Sequence, residues 1–373
     1  MLPPMLRLLA RVFLLSALTP FTTAQRSLAE VQQQFIAESR QLGPEPTRAQ
    51  RDELLGRQVG QLRTYVESEA KGDDRWNGRL MLADLLLARG DRAAAGAALQ
   101  SIDAEAAPAM VLITAAAMAQ HLNLQPQREA WIRAALGKQP PLSDRLAMAR
   151  MLVTVLREVG RGENLFATAL AGATDDEERA LVRWHRADAM RDREELPENA
   201  AFEELEKLAA DLPKTYWGDV AKDRLRATQL KPGDAAIAFQ AKSRTGEELS
   251  SRQLAGKAIV LVFWSSSDMD TPKLVETVKE LRKRCGEKLA VVGICLDRDP
   301  ATIAAAVQQL GIDFPVVGDG KGVEADIPLR WFVEGPVVHV IDAAGKIAGL
   351  GLHAGTADGR AELTEIVERA SGT

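Results

Sequence analysis

Apolar residues recur every three to four positions through most of the first 230 residues, and the pattern then changes to short unbroken apolar runs. The first spacing predicts amphipathic helices and the second predicts strands. Between Trp76 and Pro108, Leu82, Ala83 and Leu86 precede Gly90, and Ala95, Leu99 and Ile102 follow it, which places small and large apolar residues on facing sides of two helices. Ala201, Leu205, Leu208 and Pro213, then Trp217 and Ala221, repeat the latter half of that pattern. Met110 to Leu136 and Glu177 to Asp192 read as further helices.

Lys231-Pro232-Gly233-Asp234 interrupts the helical period and marks a domain boundary. Beyond it, Ala235 to Gln240 and Glu247 to Ser250 are expected to form a hairpin turning at Arg244-Thr245-Gly246. Ala258 to Trp264 is a continuous branched and aromatic run, expected to be a strand covered on both faces at the centre of a parallel sheet. The Ser/Asp/Thr cluster after it carries N-cap chemistry, and Pro272 suits a first helical turn, so a helix is expected from Thr271 to about Arg284. Alternation then continues. Strands are expected at Leu289 to Asp297, Phe314 to Val317, Val337 to Ile341 and Lys346 to Leu350, with helices at Pro300 to Leu310 and Gly359 to Ala370. Such alternation requires right-handed crossovers and helices on both sheet faces.

The helical spacing resembles tetratricopeptide repeats, with Gly90 and Gly160 about two periods of 34 residues apart. That resemblance implies stacked helical pairs over residues 25–230 and a curved surface for a protein partner. Phe263-Trp264, the polar turn and the Pro-started helix resemble the active-site segment of thioredoxin-like proteins. The match is to the TlpA/ResA-type thiol-disulfide oxidoreductases and the related AhpC/TSA redoxins. It extends over most of residues 231–373, since the hairpin and Gly256-Lys257 ahead of the strand follow the same order. The fold class is therefore α plus α/β: a helical repeat array followed by a thioredoxin-like domain.

The family carries Cys-x-x-Cys at the helix tip, where the dipole stabilises a thiolate. Asp268 and Thr271 occupy those two positions here, and neither can attack a disulfide. Val262 stands where some thioredoxins bury a proton-shuttling acid, and no cysteine lies between Ile259 and Arg284 to serve as a peroxidatic thiol. The resemblance further implies a cis bond at Gly335-Pro336, beside which an extended peptide could pair with the main chain of Gly335. Trp264, Ser267, Asp268, Gly335 and Pro336 are the candidate peptide-binding residues, and no catalytic residue is assigned.

Composition narrows the partner. With 47 basic and 52 acidic residues in mixed order, no tract suggests nucleic acid. Arg7 and Arg11, the apolar stretch Val12 to Leu18 and Thr22-Thr23-Ala24 form a secretory signal pattern over residues 1–24, too short to span a bilayer. Export to the periplasm or cell envelope follows, with no stable membrane span after cleavage. The chain has two cysteines, Cys285 expected at an exposed helix end and Cys295 inside an apolar strand. The strand between them separates the thiols by roughly 20 Å, beyond disulfide reach. Asp268 and Asp270 could cap the helix or, with His339 or His353, seed a metal site; His121 and His185 stand alone in helical segments. No cofactor or metal is assigned. Three functions remain open: a peptide-binding module, a thiol-disulfide oxidoreductase working through Cys285 or Cys295, and a structural envelope protein.

Overall fold

The structure is a computed structural model and describes residues 26–42, 46–191, 193, 195–197 and 199–373. The predicted signal segment lies outside the described residues. Two compact units are present, one comprising residues 1–174 and 185–198, the other 175–184 and 199–373.

The first unit is helical. Its elements are α1 (Leu28–Gln41), α2 (Arg48–Thr64), α3 (Gly72–Ala88), α4 (Arg92–Gln100), α5 (Ala109–His121), α6 (Gln125–Gly137), α7 (Leu142–Thr154) and α8 (Val159–Ala171); α9 (Asp176–Met190) contributes residues to both units. Consecutive helices pair as α3 with α4, α5 with α6 and α7 with α8, and α5 packs in turn against α3 and α7. This is the serial packing expected of helices that cannot bury an apolar stripe alone. Helix α5 is the hub: Val111 through Ala119 are all buried, and its alanines let neighbouring helices approach. Gly90 makes the α3–α4 turn at φ +82°, which a residue bearing a Cβ rarely adopts. Gly160 does not repeat that role, because it is the second residue of α8 and the preceding turn is made by Arg157 at φ +58°. Among the described residues no helix is long and apolar enough to cross a membrane.

The second unit opens with α10 (Ala200–Asp211) and α11 (Tyr216–Ala227), which pack on one another. Then follow β1 (Gln240–Lys242), β2 (Glu248–Ser250), β3 (Ala258–Trp264), α12 (Thr271–Cys285), β4 (Leu289–Cys295), α13 (Pro300–Gln309), β5 (Val316–Val317), α14 (Asp326–Arg330), β6 (Val337–Ile341), β7 (Ile347–Leu352) and α15 (Ala357–Ser371). The main sheet has the order β5-β4-β3-β6-β7. Strand β3 is central and wholly buried, but the sheet is mixed: β4 runs parallel to it and β6 antiparallel.

Side chains alternate across β3. Val260, Val262 and Trp264 pack beneath α12, α13 and α15, whereas Ile259, Leu261 and Phe263 pack with Ile237, Phe239, Ile327 and Trp331. Two right-handed crossovers in the same direction put α12 and α13 on one face. The first expected hairpin strand is displaced. Residues 233–236 instead bond to the β6–β7 hairpin, through Gly233 N to Ile347 O and Ala236 N to Gly345 O, so β1 begins only at Gln240.

Candidate functional site

The site residues gather at the C-terminal ends of β3 and β4, where parallel strands expose their loops. Strand β4 ends at Cys295, two residues before the expected end, which frees Asp297 to turn back. Its carboxylate accepts from Ser265 Oγ at 2.6 Å and from Ser266 N at 3.0 Å, fixing the β3–α12 loop. Ser265 Oγ lies 2.9 Å from Ser267 Oγ. Asp297 was not a sequence candidate; a polar residue just past the apolar strand beside β3 was the available signal.

Asp268 and Thr271 are joined to each other. Thr271 Oγ1 lies 3.1 Å from Asp268 Oδ2 and 2.9 Å from Ser265 O, one hydroxyl proton shared between two acceptors. Thr271 is buried, and its hydroxyl is the neutral polar group at the start of the helix. Between them stands Met269, 90% exposed, the most exposed large apolar side chain among the described residues. Asp270 is the N-cap residue but makes no side-chain capping bond. Its own N–H reaches Asp268 Oδ1 at 3.4 Å, and its carboxylate lies against Gly355, where an added Cβ would meet Oδ2 at 2.4 Å. The capping expected of Asp270 is therefore absent. Pro272 in the first turn supplies no N–H for it to bind.

Three further expectations are corrected. Trp264 is completely buried under α12, continuing the inward face of β3, and cannot touch a peptide on the surface. The bond at Gly335-Pro336 is trans, as no cis peptide occurs among the described residues. Gly335 borders open space, so no packed neighbour offsets the usual preference for trans. Cys285 is buried rather than exposed, with Ser371 Oγ 3.5 Å from its sulfur. It ends α12 some 20 Å along the helix from Thr271.

Cys295 is buried as expected, and its thiol lies 3.5 Å from Asp297 Oδ2. Burial pushes that thiol up to about 12. At neutral pH the thiol therefore keeps its proton. Both thiols are free.

Beside Gly335 and Pro336 lies an open depression of about 280 Å³, walled by Trp331, Phe332, Val333 and His339 and edged by His353. His339 is buried, accepts from Gly351 N through Nδ1 at 3.1 Å, and packs against Trp331 and Phe263. Burial pulls its pKa down to about 4, so it is neutral at pH 7. His353 is exposed. His121 is exposed at the end of α5 and His185 half-buried in α9. Among the described residues no three His, Cys, Asp or Glu side chains converge as metal ligands.

Phe332 takes φ +53°, a conformation costly for a bulky residue unless its surroundings hold it. They do: Phe202 of α10 meets its ring edge-on at 6.0 Å, and the buried Arg224 guanidinium of α11 lies 4.6 Å from its centroid. Gly335 itself is left open. Neither its N–H nor its C=O has a partner among the described residues. A wider, shallow groove of about 860 Å³ runs along α12 near Lys279 and Leu310, away from this loop.

A central β3 flanked by a parallel and an antiparallel neighbour, with a helix springing from its C-terminal end, gives this unit a thioredoxin-like fold. Residues 232–349 match the model of the AhpC/TSA family. The thioredoxin-like protein YneN of Bacillus subtilis is 26% identical over 130 residues, covering 34% of this chain and 74% of its own. A thioredoxin-family thiol:disulfide interchange protein from Chlorobium tepidum is 22% identical over 38% of this chain and 99% of its own, with TM-score 0.33. A thiol-disulfide oxidoreductase from Bacteroides fragilis is 21% identical over 35% of this chain and 98% of its own, with TM-score 0.31.

Proposed function

We propose that this chain is an exported binding protein whose redoxin domain, over residues 231–373, holds an extended peptide without turning over disulfides. The carrying observation is the pairing of Asp268 with Thr271 at the tip of the helix that follows β3, a strand whose register sets Phe263 opposite Val337, two residues past the unspent main-chain groups of Gly335. The two former redox positions are bonded to each other, and the flanking edge still offers a donor and an acceptor. An extended chain laid there gains main-chain hydrogen bonds from Gly335 and apolar contact with Phe332, Val333 and Pro336. The helical array over residues 25–230 supplies a second surface for the same partner. Export rests on the signal pattern of residues 1–24.

The two thiols favour this reading over an oxidoreductase. One lies at the far end of α12, and the other keeps its proton beneath the loop.

Gly335→Arg provides the test, because an ordinary φ and open space let the larger side chain fit without strain while it stands over the groove. The variant is expected to melt where the unaltered chain does and to bind a dye-labelled, permanently unfolded polypeptide about tenfold more weakly in an anisotropy titration. Equal binding by the two proteins would remove the groove from the account.

A further inference from the structure

Four arginines of the helical unit rest on carboxylates: Arg128 on Glu158, Arg150 on Asp188, Arg161 on Glu129 and Arg193 on Glu163, each within 2.9 Å. Arg75 and Arg79 of α3 do not. They lie one helical turn apart and share one indole, their guanidinium carbons 4.1 and 5.2 Å from the ring centroid of buried Trp76. Arg79 is held in place: Nε donates to Ser101 Oγ at 2.7 Å and Nη1 to Arg75 O at 3.2 Å, which leaves Nη2 unspent. Arg75 is exposed, and its guanidinium has no hydrogen-bond acceptor or acid partner among the described residues. It also sits in the first turn of α3, where the positive end of the helix dipole opposes a cation.

Covering an indole needs only the apolar stems of these side chains. It does not need two like charges brought together, and the charge of Arg75 adds to burial in lowering the affinity of Arg79 for its proton. An anion between the two guanidiniums removes that repulsion and takes up their planar forks of donors.

We propose that the Arg75–Arg79 pair over Trp76 is an anion subsite of the helical unit, occupied by a carboxylate from an acidic stretch of a protein partner. Asp73 and Asp74 both precede Arg75 in the first turn, and Asp74 is already engaged, accepting from Leu28 N at 3.0 Å and from the Tyr65 hydroxyl at 3.1 Å. The two planar forks of donors suit the two coplanar oxygens of a carboxylate. The site is separate from the groove beside Pro336 and stands without it.

The probe is a dye-labelled peptide of six glutamates, titrated against the full chain at low salt. R75M/R79M keeps the stems over Trp76 and removes both charges. It is expected to bind about tenfold more weakly, with a flatter salt dependence and an unchanged or higher melting temperature. Arg75→Gln alone, which sacrifices no hydrogen bond, is expected to weaken binding about threefold. Gly335→Arg is expected to bind the peptide as the unaltered chain does, so loss of this site and loss of the groove read out separately. Unchanged affinity in R75M/R79M and in Arg75→Gln, no saturable binding by the unaltered chain, or displacement of the peptide by equimolar inorganic phosphate would each overturn the proposal.

Discussion

Arg330→Ala is expected to lower the unfolding free energy of the C-terminal unit by about 3 kcal/mol. Arg330 bridges three acids: Nη1 lies 2.7 Å from both Asp219 and Asp223 of α11, and Nε 2.9 Å from Asp326 of α14. Tyr216 donates to the same Asp326 at 2.8 Å. The arginine side chain is 14% exposed, and removing it leaves three carboxylates facing one another. Asp219 and Asp326 are themselves open to solvent, which keeps the expectation toward the low end of the range for breaking a buried pair. Arg282→Ala serves as the control. Its pair with Asp313 is exposed on both sides, and its loss should cost under about 1 kcal/mol. Urea unfolding followed by circular dichroism separates the two.

The same substitution carries a functional expectation. Helix α14 runs directly into the loop of Trp331 to Pro336, so unlatching it from α11 frees Phe332 to leave its left-handed backbone. Affinity for an unfolded polypeptide should fall together with stability. If Arg330→Ala unfolds as readily as Arg282→Ala, the cluster is a screened surface network and α11 does not brace the groove.

The second large effect concerns pH and the helical unit. Asp84 of α3 is 6% exposed, and no cation pairs with it among the described residues. Burial raises its carboxyl from 3.8 to about 6. The folded state therefore binds more protons than the unfolded state between those values, and stability falls as pH rises through them. The neutral acid's contribution is present in full below about pH 4 and gone above about pH 6. Asp84→Asn removes the charge while keeping the shape. It is expected to stabilise the unit by about 2 kcal/mol at pH 7, with the gain shrinking to nothing near pH 4. Calorimetry of both proteins from pH 4 to 8 measures the difference. A gain that does not change with pH would assign the effect to packing.

How much of this was legible follows from what each residue responds to. The central strand at 258–264 and the helix from Thr271 were readable because unbroken burial and a proline-marked helix start are local properties. Trp264 was misread as a surface contact because its side depends on which face of β3 meets α12, a tertiary fact. Asp297 was hidden because its role exists only through the β3–β4 register, which places Cys295 opposite Trp264. The burial of Cys285 likewise depends on a neighbour distant in the chain, Ser371 of α15. Phe332 was invisible as a strained residue since its backbone is held by Arg224 and Phe202, more than a hundred positions away.

Reduction of insulin by dithiothreitol, followed as turbidity with and without the purified full chain, tests the account most directly. The two curves are expected to coincide, and Cys285→Ser and Cys295→Ser variants should leave them coincident. Acceleration that disappears in either serine variant would contradict the claim that an Asp268–Thr271 hydrogen bond has replaced redox chemistry at this helix tip.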